Sequence, residues 1–101
     1  MDNTIDMGGY NAEICGLYRF RFDCGRYGEL NGLFFAMTEE ITSLRGKTAY
    51  FGEVLGKHSS IEVELEDDMF ELLDINVEAR RELLTKVGSH ISGYDPRDYA
   101  M

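Results

Sequence analysis

The chain has 101 residues, with 19 Asp plus Glu against 10 Lys plus Arg and a formal net charge of −9. That length makes one domain, and a 44% hydrophobic fraction with 6 Phe and 6 Tyr is too rich for a disordered acidic chain. The excess of acid disfavours direct contact with DNA or RNA, no apolar run approaches the roughly 18 residues of a membrane span, and Met1–Tyr10 lacks the basic start and apolar stretch of a secretory signal.

Residues 1–16, with Gly8 and Gly9, read as an N-terminal arm. From Leu17 to Cys24 the pattern alternates. Tyr18, Phe20, Phe22 and Cys24 share one face, and Arg19, Arg21 and Asp23 share the other, as in a half-buried strand. Gly25-Arg26-Tyr27-Gly28 breaks that strand with a turn. Leu33-Phe34-Phe35-Ala36-Met37 is a continuous apolar run, expected as a central strand in a hairpin with the first. Thr38-Glu39-Glu40 opens a short helix, with the Thr38 hydroxyl as the expected cap, Ile41 and Leu44 turned inward and Gly46 as the stop.

Thr48–Val54 is the next strand, with Tyr50 and Phe51 inside it. After a loop, Ile61, Val63 and Leu65 alternate with Glu62, Glu64 and Glu66, again a half-exposed strand. Asp67-Asp68 makes a turn and Met69–Leu73 a further strand. Asp74 or Asn76 caps a second helix over about Val77 to Val87, whose stripe is Val77, Leu83, Leu84 and Val87, and Gly88 ends it. The order β-β-α-β-β-β-α predicts an α+β domain over residues 17–88: a mostly antiparallel sheet of four to five strands with two helices packed on one face. Residues 89–101 read as a C-terminal tail.

Cys15 and Cys24 lack the paired spacing of a zinc site. On one strand they would stand ~30 Å apart, far beyond the ~7 Å a disulfide allows, although a fold-back of residues 1–16 would reopen that pairing. Free thiols in a reducing compartment are the expectation.

The charge is uneven. Residues 1–60 carry six bases and eight acids, whereas residues 61–101 carry four bases and eleven acids. Ile61–Asp74 alone holds seven acids and no base. Glu62, Glu64, Glu66, Asp67 and Asp68 therefore form the candidate partner-binding surface, complementary to a basic protein face. Its structural alternative is a solvated face that pairs with Arg19 and Arg21.

The second candidate is the loop Gly56-Lys57-His58-Ser59-Ser60, which gathers a cation, an imidazole and hydroxyls suited to a phosphate. Arg26 could hold a phosphate bidentately and Tyr27 could stack on a base, so Arg26, Tyr27, Gly56, Lys57, His58 and Ser59 make up a candidate ligand site. This is not a P-loop, because the full Walker spacing and a following helix are missing. Glu53 could orient His58, but no nucleophile motif accompanies them, so a non-enzymatic protein is expected. His58, His90 and Asp95 are too scattered for a metal site, and no cofactor is implied. Self-association through a sheet edge or the tail, giving a homodimer, is a third reading.

Tyr50-Phe51-Gly52-Glu53-Val54-Leu55-Gly56-Lys57-His58-Ser59, preceded by Thr38-Glu39-Glu40 and Leu44-Arg45-Gly46-Lys47, resembles a family of small bacteriophage and prophage proteins. The resemblance runs from about Tyr18 to Leu73 and is most specific in Gly-Glu-x-x-Gly-Lys-His-Ser. Family members often carry an acid after the serine, where this chain has Ser60. The resemblance implies the cytoplasm of a bacterial host and an accessory role. The resemblance supplies that setting but no mechanism; small acidic phage proteins in general commonly act on the host, some by occupying the nucleic-acid channel of a defence protein and others by sequestering a nucleotide signal.

Overall fold

The computed structural model describes residues 12–56 and 60–100, so the expectations for residues 1–11, and for Lys57, His58 and Ser59, lie outside the described residues. Six strands and two helices follow in chain order: β1 (Gly16–Asp23), β2 (Glu29–Ala36), α1 (Thr38–Leu44), β3 (Thr48–Gly52), β4 (Ile61–Glu64), β5 (Phe70–Leu73), α2 (Val77–Lys86) and β6 (His90–Gly93). All pairings are antiparallel, which establishes the α+β class with mostly antiparallel sheet. The strands divide into a four-stranded sheet, in the order β5-β1-β2-β6, and a two-stranded sheet of β3 and β4. Among the described residues no helix is long and apolar enough to cross a membrane.

The alternation of β1 survives in the structure: Tyr18 and Phe20 enter one core, while Leu17 enters a second core on the opposite face. The apolar run of β2 is continuous because both its faces are covered. Leu30, Phe34 and Ala36 point into the first core and Phe35 into the second, all fully buried. Full burial of each such aromatic contributes about 1.5–3 kcal/mol. Phe51, Ile61, Val63 and Leu65 of the β3–β4 hairpin close the first core, together with Ile41 and Leu44 of α1. Leu84 of α2, flanked by Val77 and Leu83, closes the second with Ala12 and Cys15. The helices, expected together on one face, therefore lie on opposite faces of the four-stranded sheet. Each amphipathic stripe needed its own apolar surface, and β2 offers one on either side.

Both helix ends are built from local hydrogen bonds. Asn76 caps α2, its Oδ1 accepting from the Ala79 amide at 2.8 Å, and Gly88 ends it at φ 96° with its N–H shared between Leu83 and Leu84 carbonyls. At α1 the cap shifts by one residue. Met37 is the N-cap, and the Glu40 carboxylate reaches back to its amide at 2.8 Å. Thr38 is the first helical residue rather than the cap.

The stretch read as a tail supplies β6, which pairs with β2 through Gly32↔Gly93 and Leu33↔Ser92 before a bulge. The backbones meet closely there. A Cβ on Gly32 would collide with the Tyr94 backbone, and one on Gly93 with the Asn31 carbonyl. Beyond β6, Asp95 is only 6% exposed. Arg97 donates to it from Nε (3.0 Å) and Nη2 (2.6 Å). The same guanidinium donates to Glu40 Oε1 at 3.0 Å and to the Phe35 carbonyl at 2.9 Å, and lies 5.0 Å above the Phe34 ring. Tyr94 and Tyr99 then pack on Phe51, with ring centroids 5.9 and 4.6 Å away.

Cys15 and Cys24 are both free thiols, Cys15 within the second core and Cys24 at the rim of the first. Burial pushes both above the ordinary thiol value, with Asp23 adding to the rise at Cys24. The unfolded chain then loses its thiol protons first, so this contribution to stability is intact below the usual thiol range and is lost as pH rises through it. Denaturant titrations at about pH 7 to 10 should show that decline in the wild type and a shallower one in Cys15→Ala. Arg97→Ala, which strands a buried carboxylate, should lower the unfolding free energy by about 3 kcal/mol. Gly32→Ala should cost about 1–3 kcal/mol through overpacking at the β2–β6 crossing. Urea denaturation followed by circular dichroism measures both.

Candidate functional site

The hairpin of β3 and β4 pairs Thr48 with Glu64, Ala49 with Val63 and Tyr50 with Glu62. A bulge follows Tyr50, and Gly52 accommodates it at φ 73°. Strand alternation sends Ala49, Phe51, Ile61 and Val63 into the core. It leaves Tyr50, Glu62 and Glu64 on the outer face, with Tyr50 48% exposed.

The two edges of this small sheet differ. The outer edge of β3 is occupied: the Tyr50 amide donates to the Tyr99 carbonyl at 3.0 Å, and Ala49 bridges Ala100. Among the described residues β4 pairs only with β3, so its other edge is open.

The five acids proposed from sequence take separate positions. Glu62 and Glu64 stand side by side on the outer face, and no ion pair joins either to a described cation. Alternate residues of a strand are roughly 7 Å apart, so two full charges there repel by about 0.6 kcal/mol even in water. Glu66 is exposed just before a 3-10 turn, Asp67–Met69. Asp67 is bound to Arg45, at 2.9 Å from Nε and 2.8 Å from Nη2. That pair is exposed and contributes little to stability. Asp68 lines a shallow hollow of about 430 Å³ beside Arg19, Arg21 and Glu71.

Arg19 and Arg21 do not neutralise the Glu62–Glu64 face. Their partners are Glu71 and Glu29, each at 3.2 Å, on the strands immediately beside β1. Cross-strand neighbours within the four-stranded sheet satisfy these arginines before the separate hairpin can compete.

Of the candidate ligand site, Arg26 and Tyr27 project from a 3-10 turn, Gly25–Tyr27, between β1 and β2. Both are exposed, and the turn satisfies itself: the Cys24 amide donates to the Gly28 carbonyl at 2.8 Å and the Gly25 amide to Asp23 Oδ1 at 2.8 Å. Gly56 closes a turn onto the Glu53 carbonyl at 3.4 Å. Lys57, His58 and Ser59 lie outside the described residues, so their meeting with Arg26 is not described. His90 contacts the Gly93 carbonyl through Nε2 at 2.9 Å, and Asp95 is committed to Arg97. Among the described residues no three His, Cys, Asp or Glu side chains are grouped to hold a metal ion.

Tyr50 was the feature hidden in the sequence. Its place between Ala49 and Phe51 makes it an outward residue, but the strand expected over Thr48–Val54 assigns neither aromatic to a face. No family model, no curated protein and no solved structure matches the chain. Because Glu62 and Glu64 carry no load in the fold, Glu62→Gln and Glu64→Gln should each leave the thermal midpoint unchanged or slightly raised, as read by scanning calorimetry.

Proposed function

We propose that this is a non-enzymatic binding protein that docks a basic surface of another protein on the outer face of the β3–β4 hairpin. The observation that supports the reading is the pair Glu62 and Glu64, exposed, adjacent and without cationic partners among the described residues, beside the half-exposed ring of Tyr50. The strand-borne carboxylates Glu71 and Glu29 of the four-stranded sheet, by contrast, are already matched to Arg19 and Arg21. A lysine or arginine seated between Glu62 and Glu64 replaces their mutual repulsion with attraction. Tyr50 supplies rigid, amphipathic contact area at small entropic cost.

In its fuller form the reading is that of a phage or prophage accessory protein that inhibits a host protein in the bacterial cytoplasm, a defence protein being the kind of target that occupation of a nucleic-acid channel would disable. The acidic face would stand in for the phosphate backbone. Support for that setting rests on the Gly52–Ser59 motif.

The immobilised protein should retain basic proteins from a bacterial lysate. The affinity of a retained partner should fall at least tenfold in Glu62→Lys/Glu64→Lys and fall again in Tyr50→Ala. It should also weaken steeply between about 50 and 300 mM salt as the screening length shrinks. Equal affinity for wild type and the double charge reversal overturns the reading.

A further inference from the structure

The four-stranded sheet has two edge strands, and they are finished differently. β6 is polar, with exposed His90 and Ser92, and a bulge interrupts its pairing with β2. Such features blunt an edge against further pairing. β5 has no bulge, and its one exposed charge, Glu71, is paired with Arg19. Its register with β1 is unbroken from Leu17↔Leu73 to Phe20↔Phe70, it contains no proline or lysine, and among the described residues no strand lies on its outer side.

β5 also carries an unusual side chain for an edge. Leu72 is 59% exposed, and it shares a groove of about 390 Å³ with Ile14, which is 62% exposed. Gly16, the residue before Leu17 on β1, leaves the space that the Leu72 side chain occupies, since a Cβ there would stand 2.5 Å from Leu72 Cδ1. Two of the most exposed large apolar residues of the described chain therefore line one groove beside this strand edge.

The charge around this edge selects what can pair with it. Asp68 precedes β5, Asp74 follows it and Glu71 lies in its middle, within a stretch from Ile61 to Asp74 that has seven acids and no base. A second copy pairing antiparallel about the centre of β5 would bring Asp74 of each chain close to Asp68 of the other. Like charges so placed are destabilising, and they add to the repulsion of two chains of net charge −9. A different protein with basic residues meets no such cost.

We propose that β5 accepts, as an added strand, an extended segment of another protein in which apolar and basic residues alternate. Strand periodicity places the apolar side chains on the Leu72 face, against the groove, and the basic ones on the opposite face, where Asp68 and Asp23 lie outside the Glu71–Arg19 and Glu29–Arg21 pairs. Backbone pairing gives the affinity, and the apolar–acidic alternation of β5 gives the selectivity. This surface belongs to a different sheet from the hairpin face and stands independently of it.

The test is titration of the full-length, nitrogen-15-labelled protein with three synthetic octapeptides of alternating composition: Val-Lys, Val-Glu and Pro-Lys. The Val-Lys peptide should shift the amides of Phe70–Leu73 saturably. The Val-Glu peptide should bind at least tenfold more weakly through charge. The Pro-Lys peptide, with the same charge but half its backbone donors removed, should also lose at least tenfold. Leu72→Lys should weaken Val-Lys binding at least tenfold while leaving binding at the hairpin face unchanged. Equal binding of the Val-Lys and Pro-Lys peptides overturns the proposal, because charge alone then suffices. Shifts confined to the hairpin, or a β5-mediated homodimer that Leu72→Lys dissolves in light scattering, overturn it too. The peptide comparisons use wild-type protein, so the result does not depend on a variant folding.

Discussion

The guanidinium of Arg97 is the tie on which the arrangement depends. In one partly buried group it joins three parts of the chain: the Asp95 carboxylate after β6, the Glu40 carboxylate of α1, and β2 through the Phe35 carbonyl and the Phe34 ring. Arginine suits the position because a planar fork can serve several acceptors at once while its face rests on an aromatic ring. Glu40 is shared. The oxygen that receives Arg97 also receives the Met37 amide, so the same carboxylate starts α1 and anchors the C-terminal segment. A lone charge placed there would be costly, whereas the paired network converts that cost into a specific docking geometry.

From that tie the hairpin acquires its position. Once Asp95–Arg97 is held against β2, the chain passes Pro96 and delivers Tyr99 and Ala100 to the outer edge of β3. Tyr94 and Tyr99 pack with Phe51 in the first core. The two-stranded sheet, which would be marginal alone, is thereby covered on one edge and one face. What stays open is the outer face with Glu62 and Glu64 and the edge of β4. The segment read from sequence as a tail is thus a structural part of the candidate interface.

Periodicity made the individual elements legible. Alternation identified β1 and β4, the apolar run identified β2, and the Asn76 and Gly88 signals bounded α2 within a residue or two. The layering was less legible, because a continuous apolar strand says that both faces are covered without saying by what. β6 escaped notice for a physical reason: His90-Ile91-Ser92-Gly93 is short, polar and closed by a glycine, which is what a blunted edge strand requires and also what a turn resembles. The split of the acidic run was equally hidden. Glu62 and Glu64 are neighbours on a strand face, but Asp67 pairs with Arg45 and Asp68 shares a hollow with Arg19 and Arg21, from distant segments that sequence spacing does not bring together.

The crossing of Gly32 and Gly93 couples two positions far apart in the chain. The Tyr94 backbone fills the volume in which a Gly32 side chain would stand, and the Asn31 carbonyl with the Gly32 Cα fills that of a Gly93 side chain. A side chain at either position must push β6 away from β2, and such a shift would disturb the approach of Arg97 to its acceptors. In any divergent sequence that keeps this architecture, the two glycines should persist or be lost together. They form a paired signature that survives when surface charges have drifted.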